Sequence, residues 1–176
     1  MLKYFTIIIF IVLSCAIEKY EAPLYCTQDL PNSLKKISLG RYNKSLDIPS
    51  DWIISEPMNQ KDTKSFVCLD TVSLYSAGVT NSITISILSI QIERIDEYIA
   101  LEKKIAREKY NLIRAGKQRI NNFEAYWMML EDEELRNIIY YIFDENILLV
   151  NFSTSRFDDY EIRFCKMLSL LKTLKY

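Results

Sequence analysis

The sequence contains no histidine and only three glycines among its 176 residues. The absence of histidine removes the commonest general base and metal ligand, so histidine-based zinc sites and Ser-His or Cys-His nucleophilic centres cannot occur. None of the glycines lies in a phosphate-binding loop motif. The formal net charge is −1, which leaves no basic excess to neutralise nucleic-acid phosphates. We therefore expect no metal, no cofactor, no catalytic residues and no nucleic-acid partner, and we expect that the protein is not an enzyme.

A short apolar run, residues 4–13, follows Lys3 at the start of the chain. A positive start, an apolar segment of about 7–15 residues and small residues after it are typical of a secretory signal peptide. The run is far shorter than the roughly 20 residues that a membrane-spanning helix needs. We therefore predict a signal peptide over residues 1–14.

The residues Val12-Leu13-Ser14-Cys15 resemble the lipobox of bacterial lipoproteins, in which the cysteine is lipidated and becomes the new N-terminus. The resemblance implies that Cys15 carries the lipid, and Ala16 in place of aspartate favours the outer membrane. More than one lipid chain makes such anchoring stable, because each buried methylene contributes about 0.8 kcal/mol. The predicted location is the cell envelope, on the periplasmic or surface face. The alternative is an ordinary secretion signal cut near Ser14 or Ala16.

Three cysteines remain if Cys15 is lipidated, namely Cys26, Cys68 and Cys165. One disulfide can form among them in an oxidising envelope, and its pairing stays open. Their spacing matches no metal motif. Buried small hydrophobic side chains are the interpretation that we favour over a redox pair.

The remainder of the chain divides into a lead-in and one domain. Residues 15–39 contain two prolines and little periodicity, so they are predicted to be a lipidated tether. Residues 40–176 are predicted to form the domain. Period-two spacing predicts strands over residues 41–48, 65–72, 82–92, 112–120, 123–130, 135–143 and 147–154.

Helical spacing predicts one helix from Ile95 and a closing helix from about Asp158. Residues 55–64 are predicted to be a loop, and residues 76–81 a turn. Short links between the last four strands indicate an antiparallel meander. The expected fold class is α+β, an α/β/α sandwich with a mainly antiparallel sheet of about six to seven strands flanked by two main helices.

The order of these elements resembles the PsbP/Mog1-like family, and five short motifs carry the resemblance. They are LDIPSDW at residues 46–52, the strand at 83–92 that runs into IDEY at 95–98, NNFEA at 121–125, YYIF at 140–143 and NFST at 151–154. The resemblance covers roughly residues 40–176 and, with the lipobox, points to the bacterial lipoprotein branch. It implies an α/β/α sandwich and a role in binding or assembly, although fold alone does not select a function.

Aromatic residues on two predicted strands form a candidate partner surface. Tyr126 and Trp127 are adjacent on one strand, and Tyr140 and Tyr141 are adjacent on another, so one of each pair should point outward. Trp52 is expected to be a core aromatic that anchors the turn after the first strand, rather than the mark of a ligand cleft.

These expectations favour a membrane-anchored bacterial envelope lipoprotein that acts as a non-catalytic binding or assembly protein with a protein partner. One alternative is an immunity or adaptor protein for a secreted toxin, which a charged, concave surface would favour. A second alternative is a lipoprotein that binds a small ligand.

Overall fold

The computed structural model describes residues 20–39, 44–55, 57–60, 63–89 and 92–175. The strands are β1 (Leu34–Ser38), β2 (Ser45–Pro49), β3 (Ile53–Ile54), β4 (Met58–Gln60), β5 (Thr63–Leu69), β6 (Asn81–Leu88), β7 (Asn111–Ile120), β8 (Phe123–Glu131), β9 (Leu135–Phe143) and β10 (Ile147–Ser155). The helices are α1 (Thr71–Ala77), α2 (Ile95–Lys109) and α3 (Tyr160–Ser169), and the short 3-10 helix Leu170–Thr173 follows α3.

The main sheet has the strand order β3-β5-β6-β10-β9-β8-β7, with β4 paired to β5 beside β3. All of these pairings are antiparallel. The last four strands form the predicted meander, and Asn121 makes the β7–β8 turn at a φ of 53°, which asparagine tolerates better than most residues. The predicted α+β class and the antiparallel sheet are therefore confirmed.

Both faces of the sheet are packed, because residue alternation sends successive side chains into two separate cores. Ile83, Ile85 and Ile87 of β6 point into the larger core, which α3 and the 3-10 helix cover. A smaller core lies between α2 and the other face, and it contains Ile99 and Ala106 of the helix. The result is the three-layer sandwich that the sequence predicts.

Two predicted connections contain structure. Residues 76–81, predicted to be a turn, include the end of α1, a helix that the hydrophobic spacing does not reveal because none of its residues is buried. Its ends are nevertheless capped, since the Asp70 side chain accepts a hydrogen bond from Ser73 N at 3.0 Å and Gly78 adopts the left-handed conformation. The predicted loop at 55–64 contains β4 and the start of β5.

The lead-in to the domain also differs from the prediction. Residues 20–39, predicted to belong to a tether, include β1, which pairs with β2, and Leu39, which is fully buried in the larger core. The domain therefore begins well before residue 40, because this segment buries apolar side chains that a solvated tether would expose. The first predicted strand is observed from Ser45, and its predicted beginning at residues 41–43 lies outside the described residues, as do the signal peptide and Cys15.

Within the described residues, no helix is long and apolar enough to cross a bilayer.

Candidate functional site

The predicted aromatic partner surface is wrong, because all four of its side chains are buried. Tyr126 and Tyr141 are 4% exposed and belong to the core beneath α2. Trp127 and Tyr140 are 1% exposed and belong to the core on the α3 side. Alternation correctly separates the residues onto two faces, but both faces of this sheet are covered. None of the four is available to a partner at the surface of the folded domain.

A cleft of about 320 Å³ lies between α1 and α3, at the end of the sheet where β5 and β10 finish and β6 begins. Its side chains come from four parts of the sequence. They include Pro31, Pro49, Trp52, Asp70, Ser73, Ser76, Asn81, Asp159, Arg163, Lys166, Met167 and Leu170. The volume is in the range of small-ligand sites. Neither the position nor the composition of this cleft follows from any single motif.

A chain of hydrogen-bonded polar groups contributes Asp70, Asn81 and Arg163 to the lining of the cleft. Thr154, on β10, donates a hydrogen bond to Asn81 Oδ1 at 2.8 Å. Arg163 Nε donates to the same threonine oxygen at 2.8 Å. Asn81 in turn donates from Nδ2 to Asp70 Oδ2 at 3.1 Å. Asn81, Thr154 and Arg163 are at most 9% exposed, so these hydrogen-bonded groups are a fixed part of the structure and not mobile surface groups.

Arg163 is the positive charge of this chain. Its Nη1 donates to Asp159, four residues earlier in the sequence, and its Nη2 donates to the carbonyl of Ser155 at 2.7 Å. Burial lowers the pKa of the guanidinium, and arginine side chains stay protonated in folded proteins. The arginine is therefore a buried cation held by a carboxylate and by neutral acceptors.

Asp70 closes the other end of the chain. Burial raises the pKa of Asp70, but the hydrogen bonds from Ser73 and Asn81 outweigh burial and hold the pKa below its ordinary value of 3.8. The carboxylate is thus ionised at neutral pH, with both oxygens engaged in internal hydrogen bonds. It positions α1 against β6 at the rim of the cleft.

Trp52 supplies an apolar wall to the cleft. It is 7% exposed and belongs to the larger core, as predicted. It also lines the cleft, together with Met167 and Leu170 of the closing helical segment, so its core position does not exclude it from a cleft as the prediction assumed. The cleft therefore joins one apolar wall to one hydrogen-bonding wall, the usual composition of a small-molecule site.

The four charged side chains that line the cleft balance formally, two acidic and two basic. Lys166 adds its positive charge from α3, the helix that also carries Arg163. Within the described part of the chain, no group of three or more His, Cys, Asp or Glu residues could hold a metal ion. The arrangement can offer hydrogen bonds and apolar contact to a ligand of little net charge.

A second cavity, of about 340 Å³, lies beneath the N-terminal segment. Residues 22–26 and Gln28 of this segment line it, together with Gln118, Tyr140 and Leu171 of the domain. Tyr140 donates a hydrogen bond to Gln118 Oε1 at 2.9 Å, and burial raises the pKa of its hydroxyl. This cavity is a space between the segment and the domain.

A disulfide between Cys26 and Cys165 fastens that segment to α3. The disulfide that the sequence leaves open therefore forms between Cys26 and Cys165, which are 139 positions apart. The favoured interpretation of Cys165 as an unpaired, buried side chain is wrong. Cys68 is the free cysteine among the described residues, and it is fully buried. Burial raises the pKa of its thiol to about 11, so the thiol is protonated and unreactive at neutral pH.

Further contacts fix the segment at the β7 edge of the sheet. Trp127 donates its indole N–H to the carbonyl of Glu21 at 2.6 Å. The backbone N–H of Glu21 donates to the carbonyl of Lys117 at 2.7 Å, and the Glu21 carboxylate pairs with Arg114 at 3.0 Å. Tyr20 donates its hydroxyl to Glu124 at 2.9 Å. The chain is thus held to the domain from its first described residue.

The cleft residues Asp70, Asn81 and Arg163 were not predicted from the sequence. The helix that carries Ser73 and Ser76 has a recognisable start and stop, because Asp70 precedes it and Gly78 follows it. That pattern would have located α1. No pattern in the sequence relates α1 to Arg163, because the two meet only through the pairing of β6 with β10.

Comparison with known proteins supports the fold. No protein-family model matches the chain, and no curated protein matches it in sequence. The solution structure of cyanobacterial PsbP (CyanoP) from Synechocystis sp. PCC 6803 is similar, with a TM-score of 0.57 and 13% identity over 87% of this chain and 98% of that chain. A Pseudomonas aeruginosa protein of unknown function, PA94, aligns at a TM-score of 0.38 and 14% identity, over 78% of this chain and 94% of that chain.

The chain therefore has a PsbP-like fold, an α+β sandwich built on an antiparallel sheet. At 13% identity the similarity defines the architecture alone. Function has to be argued from the cleft and from the sequence of the N-terminus.

Proposed function

We propose that this protein is a lipid-anchored lipoprotein of the bacterial envelope that binds a small ligand in the cleft between α1 and α3, without catalysing a reaction. The cleft carries the proposal, because its lining combines the apolar side chain of Trp52 with a hydrogen-bonded set of polar groups that includes Asn81 and Arg163. Preorganised polar groups beside an apolar wall are what a binding site needs.

The balance of charge in the cleft selects the class of ligand. Both oxygens of Asp70 and one oxygen of Asp159 are engaged by internal donors, and Arg163 is compensated by Asp159. The two acidic and two basic lining side chains sum to zero, so the cleft does not favour a ligand of high net charge of either sign. The expected ligand is a small neutral or zwitterionic molecule with an apolar face, such as a sugar or an amino acid.

The anchor is supported by the N-terminal sequence. Lys3, the apolar run and Val12-Leu13-Ser14-Cys15 resemble a lipoprotein signal, and the proposed anchor is a lipid on Cys15. Ala16 favours the outer membrane as the destination. A Cys15→Ala variant should remain a soluble or uncleaved precursor with a folded domain, whereas the wild type should incorporate radiolabelled palmitate. Lipid-labelled, mature Cys15→Ala protein in the membrane fraction would exclude this anchor.

Ligand binding can be tested by saturation-transfer NMR with a panel of monosaccharides and amino acids. Ser76 lines the cleft, so Ser76→Leu should fill part of the space and abolish binding. Tyr75, the next residue on the same helix, is 86% exposed and does not line the cleft, which makes Tyr75→Leu the matched control. At least one compound should bind the wild type and the control but not Ser76→Leu. Equal binding by both variants, or no binding by the wild type, would rule out the cleft as the site.

A further inference from the structure

We propose that the β7 edge of the sheet faces the lipid headgroups of the membrane, so that the cleft lies in the part of the domain far from the bilayer. This inference rests on the proposed lipid anchor at Cys15. It is carried by the contacts of residues 20–26, which fix where the chain leaves the domain.

The free length between the anchor and the domain is short. Glu21 is held by Trp127, Lys117 and Arg114, and Tyr20 is held by Glu124. Only five residue steps separate Cys15 from Tyr20, which span at most about 18 Å of fully extended chain. A solvated tether that ran to residue 40 would instead reach about 90 Å and would impose no orientation.

The point of attachment lies at one edge of the sheet. Tyr20 bridges Lys117 of β7, which is the terminal strand of the order β3-β5-β6-β10-β9-β8-β7. The Cys26–Cys165 disulfide prevents the segment from peeling away from the domain behind this bridge. A lipid within about 18 Å of Tyr20 therefore brings β7 to the membrane surface before any other strand.

The surface around β7 is suited to headgroups. Tyr20 is 55% exposed, Tyr110 is 46% exposed and Ile113 is 39% exposed, and Arg119 is also exposed. Tyrosine is favoured at membrane interfaces because its ring is apolar and its hydroxyl is polar. Arginine can keep its guanidinium among the phosphates while its stem lies on apolar surface.

The cleft lies towards the opposite edge of the sheet. Its residues Asp70 and Asn81 belong to the ends of β5 and β6, five and four strands away from β7. At about 4.8 Å between strands, this places the cleft roughly 20–25 Å from the β7 edge. The cleft would then lie at a distance from the membrane surface while the β7 edge stays close to the bilayer.

The orientation can be measured by nitroxide relaxation. Full-length lipidated protein is reconstituted into phosphatidylethanolamine–phosphatidylglycerol vesicles that contain a nickel-chelating lipid, with the nitroxide on Ala115→Cys in β7 or on Tyr75→Cys in α1. Both positions are exposed, and the buried Cys68 and the disulfide leave the introduced thiol as the reactive one among the described residues. Relaxation by the lipid-bound nickel should be several-fold stronger at position 115 than at position 75.

A spacer variant tests whether the short tether is the cause. About 20 glycine and serine residues inserted after Ala16 should bring the ratio of the two relaxation rates towards one, because a flexible linker of that length releases the domain. An unchanged ratio in the spacer variant would overturn the tether as the cause.

Flotation with the vesicles distinguishes a failure of the proposed lipid anchor from a failure of the proposed orientation. Wild-type protein that does not float overturns the lipid anchor and the orientation together. Protein that floats but relaxes equally at both positions, or more strongly at position 75, overturns the orientation alone.

Discussion

Thr154 offers a sharp test of the polar chain in the cleft, because its hydroxyl is the central link. The side chain is fully buried, and its Oγ1 donates to Asn81 and accepts from Arg163, both at 2.8 Å. Replacing it by valine keeps the shape of the side chain but removes both hydrogen bonds. Replacing it by serine keeps the hydroxyl and removes one methyl group.

The expected costs differ in size. Thr154→Val leaves the buried Asn81 Oδ1 and Arg163 Nε without this partner, and each unsatisfied group costs about 1–3 kcal/mol, so the free energy of unfolding should fall by about 3–4 kcal/mol. Thr154→Ser loses only a buried methyl group, which is worth about 1 kcal/mol. Valine should therefore be the more destabilising of the two substitutions.

Urea unfolding of the oxidised protein, followed by tryptophan fluorescence, measures this difference. With an m-value of about 2 kcal/mol/M, the midpoint of Thr154→Val should lie about 1–1.5 M below that of Thr154→Ser. Equal m-values in the two variants would show that the unfolded state is unchanged. If Thr154→Val lowers the free energy of unfolding by no more than Thr154→Ser does, packing alone explains the stabilisation by Thr154. The hydrogen-bonded chain would then contribute nothing measurable.

Three further predictions follow from other contacts. Replacing Cys26 and Cys165 together by serine should lower the free energy of unfolding by about 5 kcal/mol in denaturant titrations, because the closed loop spans 139 positions; a loss below 1 kcal/mol would contradict this. Gly116→Ala would place Cβ 2.8 Å from Trp127 Cζ2, so it should cost about 1–3 kcal/mol and change the near-ultraviolet circular dichroism of the indole, whereas an unaltered spectrum and stability would refute the contact. Because the folded-state pKa of Asp70 lies below 3.8, its stabilisation is present above that pH and is lost as the pH falls further. Asp70→Asn should therefore flatten the decline in stability below pH 3.8, and an unchanged slope would assign the decline to other carboxylates.

The sequence predicts most of the sheet because strand periodicity is a local property. The strand at residues 135–143 has the predicted bounds, and β7, β8 and β10 differ from prediction by one residue at one end. Ile83, Ile85 and Ile87 face the larger core, as their alternation requires. The antiparallel order follows from the short links, which cannot make a parallel crossover.

The predicted site failed for a different reason. Alternation shows that Tyr140 and Tyr141 lie on opposite faces, but it does not show whether a helix covers each face. Here α2 covers one face, and α3 with the N-terminal segment covers the other, so both tyrosines are buried. Exposure depends on elements that are distant in the sequence.

The sequence by itself determines the strand pattern, the antiparallel meander and the absence of histidine chemistry, because these depend on residue type and local spacing. Only the tertiary structure decides that Cys26 bonds Cys165, that residues 20–39 belong to the domain, and that Asp70, Asn81 and Arg163 meet in one cleft. Each of these results is a contact between distant parts of the chain. Such contacts form where the packing of helices on the sheet buries apolar surface, and no local pattern specifies them.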